Sequence, residues 1–402
     1  MDIIISTVRG IIAIFAIISA GYLLSTNRKH IQWRIPLIAL VTAIILINLI
    51  LHSQTGHLFF EYAGKAISKF ISFSFEGADF VFGTIYSGNK FSFLFVALIP
   101  LIFFGSFMSL LYHYGIVQKF INFISIFLVK VLKLSGVEAT GICSTIFLGQ
   151  SEGIMVIGPY VRRMSDSELF MMMTCGMSCV AGTLLFAYAS MGANLVYVIA
   201  ASVVSAPCAI VMAKIIFPEN ASEKEIIKME HQELSIETHN AIDALGHGAT
   251  NGAKVAIAVA IMLLAFIAFI GLLNAAIGFV SFHYLTLDKI FAYIFTPIAY
   301  VIGVPTQDVN SFSTLFGMKT CFNEFVAYAD LKKYVFTDKG FIMVCFALTG
   351  FANISSVAMQ IGVYGAQWEG AKAKVAKFGL RALAAAAMAN LLAAALAGMF
   401  FY

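Results

Sequence analysis

Apolar runs long enough to cross a bilayer, which takes about 20 residues of helix, recur along the chain between short polar or basic stretches. The pattern predicts spanning helices over 3–24, 35–51, 91–111, 169–189, 195–217 and 255–280, with a further interrupted span over 341–362 and a last one running to the C-terminal end. Three stretches mix apolar and charged positions: 52–90, 116–134 and 287–304, the last carrying Pro297. Such patterns suit amphipathic helices lying along the membrane surface. Two stretches fit neither template. In 137–161 an apolar run is broken by Gly149-Gln150-Ser151-Glu152-Gly153, and 306–334 carries apolar arms around Asn323-Glu324.

A carboxylate at the centre of a bilayer span costs about 2.5–3.5 kcal/mol. Non-helical backbone at that depth survives only against protein or a water-filled cavity. The segment 137–161 has Lys130 and Lys133 before it and Arg162 and Arg163 after it. Positive charge at both ends favours both on the cytoplasmic side, so the segment is expected to dip in and return. Each arm of about ten residues rises about 15 Å, half the hydrocarbon thickness. The order interfacial helix, broken hairpin with an acidic tip, span with a polar centre, ordinary span occurs in both halves of the chain. The polar centres are Ser178-Cys179-Val180-Ala181-Gly182-Thr183 and Gly350-Phe351-Ala352-Asn353-Ile354-Ser355-Ser356. An odd number of spans between the halves gives them opposite orientations, and inverted repeats with paired broken segments point to a transport site at mid-depth.

Composition fits this setting: 60% of the 402 residues are hydrophobic and 11% charged, against about a quarter charged in soluble proteins. The net charge of +4 gives no reason to expect nucleic acid. Arg28, Lys29 and Arg34 place the first loop in the cytoplasm, and hence both termini outside. The six cysteines lie in apolar surroundings without a C-x-x-C pair, as packing thiols rather than a metal site. The pentad also matches G-x-S-x-G, the turn that presents a hydrolase serine. A hydrolase using Ser151 would need a base at depth, whereas the eight histidines (His30, His52, His57, His113, His231, His239, His247, His283) fall in loops or near span ends. A non-enzymatic role is therefore expected. A channel differs from a symporter in lacking saturable, uphill accumulation.

With these residues in view, the chain resembles the concentrative nucleoside transporters along nearly its whole length. The resemblance is carried by Gly149-Gln150-Ser151-Glu152, by the run Tyr293 to Pro305, by Asn323-Glu324-Phe325-Val326-Ala327 and by Gly350 to Ser356. It implies an all-α integral membrane protein with eight transmembrane helices, two opposed re-entrant hairpins and interfacial helices in an inverted repeat. It further implies a homotrimer in a bacterial inner membrane, working as an elevator. The corresponding domains are a scaffold over 1–115, a first transport repeat over 116–217, a polar cytoplasmic loop over 218–252, a sixth, scaffold span over 253–282 and a second transport repeat over 283–402. The expected activity is import of uridine and similar nucleosides with protons or sodium. A sodium-coupled form with broader purine specificity is the alternative.

The resemblance also assigns residues. Gly149, Gln150, Ser151, Glu152 and Leu184 would meet the nucleobase, and Glu324, Asn353 and Ser356 the ribose, with Phe351 packing nearby. Amide, hydroxyl and carboxylate groups can answer a uracil edge, and carboxylate or amide oxygens suit ribose hydroxyl donors. Two departures from the family pattern matter. The first acidic residue is followed by Gly153 and Ile154 instead of Ala and often Pro, so the far arm is expected to start differently. Where sodium-coupled members place an Asn and a Ser, with backbone carbonyls from positions matching Leu148 and Val180, this chain has Thr145 and Cys179. A hard cation prefers oxygen to a thiol. A proton is thus favoured as the coupling ion over sodium, with Glu324 carrying it because burial disfavours a charged carboxylate. No cofactor and no structural metal are expected; the partners are nucleoside, lipid and further copies of the chain.

Overall fold

The computed structural model describes residues 2–83, 99–219, 238–282 and 284–401. Every regular element among them is helical. Helices α1 (Asp2–Leu23) and α2 (Arg34–His52) follow the first two apolar runs within a residue or two, and α3 (Gln54–Phe82) covers most of the first mixed stretch. The expected third span lies partly outside the described residues; its second half is α4 (Ile99–His113). Helix α5 (Ile116–Leu132) leaves it at 75°. The bend falls at Gly115, whose φ of +70° is open to glycine and costly to most other residues. Phe120, Phe123, Ile126 and Phe127 of α5 are exposed, as an interfacial helix requires.

Next comes α6 (Gly136–Leu148), started by a capping box in which Ser135 and Glu138 satisfy each other's backbone N–H. The chain reverses at 149–151 and continues as α7 (Glu152–Val156) and a 3₁₀ turn (Gly158–Arg163). The far arm is therefore shorter and more irregular than the ten-residue helix expected. Pro159 has no N–H to continue the ladder. The next expected span divides in two: α8 (Asp166–Ser178), capped by Ser165 and Glu168, then extended backbone, a 3₁₀ turn (Gly182–Leu184) and α9 (Leu185–Met191). Helix α10 (Leu195–Ile216) is buried over most of its length.

The polar segment expected to run as a loop to residue 252 ends earlier. Residues 220–237 lie outside the described set, but α11 (Ala241–Val280) begins twelve residues before that boundary. Asn240 caps it by accepting from the Asp243 N–H at 2.9 Å. Its first turns pack backbone to backbone on α4: a Cβ at Gly105 would sit 2.7 Å from the Gly248 carbonyl, and one at Gly252 2.5 Å from that of Leu101. Small residues at this spacing let two helices approach closely inside a membrane. Composition marked this stretch as loop; packing on the partner helix makes it helix.

The second half repeats the element order. After α12 (Leu287–Val301) come the arms α13 (Val309–Cys321) and α14 (Glu324–Leu331), then the divided pair α15 (Asp338–Leu348) and α16 (Ile354–Gln367), then α17 (Ala371–Phe400). Helix α17 packs against α1, α8, α10, α15 and α16. Its alanines (Ala382, Ala385, Ala386, Ala389, Ala393, Ala394) are fully buried and let these neighbours reach one axis. Among the described residues five helices are long and apolar enough to cross a membrane, six with the bent α4–α5 pair; the divided helices are individually too short.

Candidate functional site

The two hairpin tips and the two helix breaks converge. Gly149, with φ +93°, ends α6, and a Cβ there would lie 2.7 Å from Ala181 Cβ in the first break. A Cβ on Gly182 would come within 3.3 Å of the Phe147 carbonyl. Gly350, with φ +98°, ends α15 beside the first break, where a Cβ would meet the Ser178 carbonyl at 2.2 Å. At the other sides of the tip and break, asparagines begin helices. Asn323 Oδ1 accepts from Val326 N–H, and Asn353 Oδ1 from Ser356 N–H, each at 2.9 Å. Breaking the helices at these points frees N-terminal donors and C-terminal carbonyls where the tips and breaks meet.

One chain of side-chain hydrogen bonds crosses between the two halves of the chain. Gln150 Nε2 donates to Ser356 Oγ at 3.2 Å, and Gln360 Nε2 donates to Gln150 Oε1 at 3.3 Å and to the Met173 carbonyl at 3.1 Å. Asn353 Nδ2 donates to Glu324 Oε2 at 2.9 Å, while Tyr188 donates its hydroxyl to Glu324 Oε1 at 3.1 Å. Ser355 Oγ closes on Asn353 Oδ1 at 2.7 Å. Leu184 and Phe351 are buried beside these elements, and Ser151 Oγ is directed at the Met359 sulfur at 3.5 Å. Two buried amide groups, Asn323 Nδ2 and Gln360 Oε1, have no hydrogen-bond partner among the described residues. Buried polar atoms are nearly always paired with protein or ordered water, so a donor and an acceptor here are left for water or for a ligand.

Of the residues singled out from sequence, Gln150, Glu324, Asn353 and Ser356 share this network. Glu152 does not. It is exposed and faces a cavity of about 560 Å3 lined also by Tyr112, Leu148, Met155, His247 and Asn251, between the first hairpin, α4 and α11. His247, placed in a loop by sequence, is in α11, where its Nδ1 pairs with Asn251 Nδ2 at 3.3 Å. His231 and His283 lie outside the described residues. Sequence reasoning overlooked Tyr188, Met359 and Gln360. Gln360 follows Ser356 at i+4 on α16, and Tyr188 follows Leu184 at i+4, so helical spacing would have added both to their faces.

Of the candidate ion residues, Thr145 is on α6, Leu148 is its last residue, and Cys179 and Val180 lie in the first break, and α6 packs against α8 and the 3₁₀ turn on either side of that break. The Thr145 hydroxyl donates to the Ile142 carbonyl at 2.9 Å, and Ser202 Oγ donates to the Val180 carbonyl at 3.4 Å. Gly153 stands hard against Thr145, where a Cβ would lie 2.8 Å from Thr145 Cα and Cγ2. The glycine after Glu152 therefore makes room for a β-branched residue on the opposing arm. As an ion cage the set is weak in side-chain oxygens: one hydroxyl and a thiol. Among the described residues there is no group of three or more His, Cys, Asp or Glu placed to hold a metal.

Divided helices, paired hairpin tips and a polar network between them define an all-helical membrane transporter. Comparison with known proteins names the family. Residues 12–85 match the model described as Na+ dependent nucleoside transporter N-terminus, 94–195 the one described as Nucleoside recognition, and 197–398 the one described as Na+ dependent nucleoside transporter C-terminus. The chain is 35% identical to the nucleoside permease NupC of Helicobacter pylori, over 99% of this chain and 98% of that one. It is 32% identical to human sodium/nucleoside cotransporter 1, over 94% of this chain and 62% of that one. The solved structure of CNTnw in an inward-facing substrate-bound state superposes with a TM-score of 0.93 at 36% identity, covering 98% of both chains. The chain belongs to the concentrative nucleoside transporter family. The family description names sodium, which runs against the proton favoured from sequence.

Proposed function

We propose that the protein imports nucleosides by symport with a monovalent cation across a bacterial inner membrane. The network joining Gln150, Ser356, Asn353 and Glu324, with Asn323 Nδ2 and Gln360 Oε1 lacking partners among the described residues, carries this reading. Glu324 would hold the ribose through its carboxylate oxygens and Asn353 through the second N–H of its amide, since its Oδ1 already accepts from Ser355 and Ser356, and Gln150, Ser151 and Glu152 would hold the base, with Leu184 and Phe351 as apolar walls. We place the two hairpins as re-entrant from opposite faces, within eight spans and an inverted repeat, and both termini outside. The unit would be a homotrimer in which the transport repeats move past a scaffold as an elevator.

Sodium is the coupling ion that membership of the family supports first. The thiol of Cys179 and the Thr145 hydroxyl bonded to its own helix favour a proton as the second reading. Radiolabelled uridine uptake into proteoliposomes, with sodium and pH gradients imposed separately, decides between them. Accumulation with neither gradient, or none with either, would overturn symport.

A further inference from the structure

Lys319 is fully buried on the first arm of the second hairpin, and the substrate network makes no use of it. Its Nζ donates to the Ala347 carbonyl at 2.6 Å, to Asn390 Oδ1 at 2.7 Å and to the Thr349 carbonyl at 3.0 Å. Ala347 is in the last turn of α15 and Thr349 is its C-cap, where carbonyls lack helical partners. An ammonium brings three N–H groups to three acceptors. A neutral amine would bring two and turn its lone pair on an oxygen, so the geometry selects the charged form. A cation is also the complement of a helix C-terminus. Asn390 extends the arrangement to the other repeat: its Nδ2 donates to the Ser178 carbonyl at 2.9 Å and to Ser205 Oγ at 3.3 Å.

The two breaks are thus held differently. The carbonyl ends of the first meet neutral donors, Asn390 at Ser178 and Ser202 at Val180. The second meets a charge carried on the chain. We propose that Lys319 is a tethered cation filling a three-oxygen cation site at the second break, so that only the first break is left for an exchangeable ion. It acts as a positioning residue: by fixing the end of α15 it sets where Asn353 starts α16, and it stands on the arm that leads to Glu324. This deepens the symport reading above, but its test reads cation binding without transport, so the two can fail separately.

The experiment measures thermal unfolding of the full chain in detergent, in choline chloride or methylammonium chloride at equal ionic strength. Lys319→Ala opens the three-oxygen site. Its midpoint in choline is expected well below that of the unaltered protein and is expected to rise by several degrees in methylammonium, which leaves the unaltered protein unmoved. Equal shifts in both proteins, or no loss in choline, would overturn the proposal. Asn390→Ala and Asn390→Asp supply a second test should Lys319→Ala not assemble. Both lose the donor to Ser178, so their difference isolates the charge beside residue 319. Asp is expected to be the more stable of the two, and Asp less stable than Ala would refute a cation at Lys319.

Discussion

Replacing Glu324 by Gln asks whether this side chain holds substrate or merely holds the fold. The carboxylate accepts from Tyr188 at 3.1 Å and from Asn353 Nδ2 at 2.9 Å, two of its roughly four lone-pair directions. Asn353 cannot turn, because its Oδ1 is fixed by Ser355 Oγ and Ser356 N–H. The new amide must therefore present its oxygen to Asn353 and its NH2 to Tyr188, whose hydroxyl can rotate to accept. Folding then loses only the excess of two charge-assisted bonds over neutral ones, about 1 kcal/mol or a little more. Ribose binding loses more. Two hydroxyl donors to a carboxylate become at most one donor to an amide oxygen, about 2–3 kcal/mol or roughly 30- to 150-fold in affinity. The assay is equilibrium binding of radiolabelled uridine to purified protein, with thermal unfolding alongside. Uridine affinity within threefold of the unaltered protein would refute the ribose assignment. A collapse of stability matching the loss of binding would make Glu324 a structural residue.

Three other outcomes are expected. Glu152→Gln should reduce uridine uptake at least about tenfold with an unchanged unfolding midpoint, because Glu152 faces a cavity and has no ion pair among the described residues; unaltered uptake would remove it from the site. Lys214→Met should cost about 3–5 kcal/mol in denaturation, since it strands Glu138 and Glu219, which Lys214 meets at 2.5 and 3.0 Å in a buried cluster; a loss under about 1 kcal/mol would mean the cluster is hydrated. Thr145→Asn with Cys179→Ser supplies oxygen ligands where the chain has a thiol, and should lower the sodium concentration giving half-maximal uptake. No change in the sodium dependence would place the coupling ion elsewhere.

Much of the site was readable because membrane burial makes polar residues expensive and therefore informative. Gln150, Glu324, Asn353 and Ser356 stood out against apolar surroundings and proved to share one network. Residues of ordinary type did not stand out: Tyr188 and Gln360 look like any aromatic or amide on a span. Nothing in the pattern around Lys319 points to the carbonyls of Ala347 and Thr349 that surround it.

The sequence by itself determined where most of the helices run, where they break and which polar groups sit at the breaks, since these follow from hydropathy period, glycine and capping residues that act within a few positions. Only the tertiary structure decided which tip meets which break, that Glu152 faces α4 and α11 while Glu324 faces Asn353, and that α11 begins at Ala241 rather than beyond residue 252. Those outcomes depend on contacts between residues far apart in the chain, such as Gly105 on Gly248 or Asn390 between Ser178 and Lys319. Close packing selects among such pairings, and no local pattern encodes them.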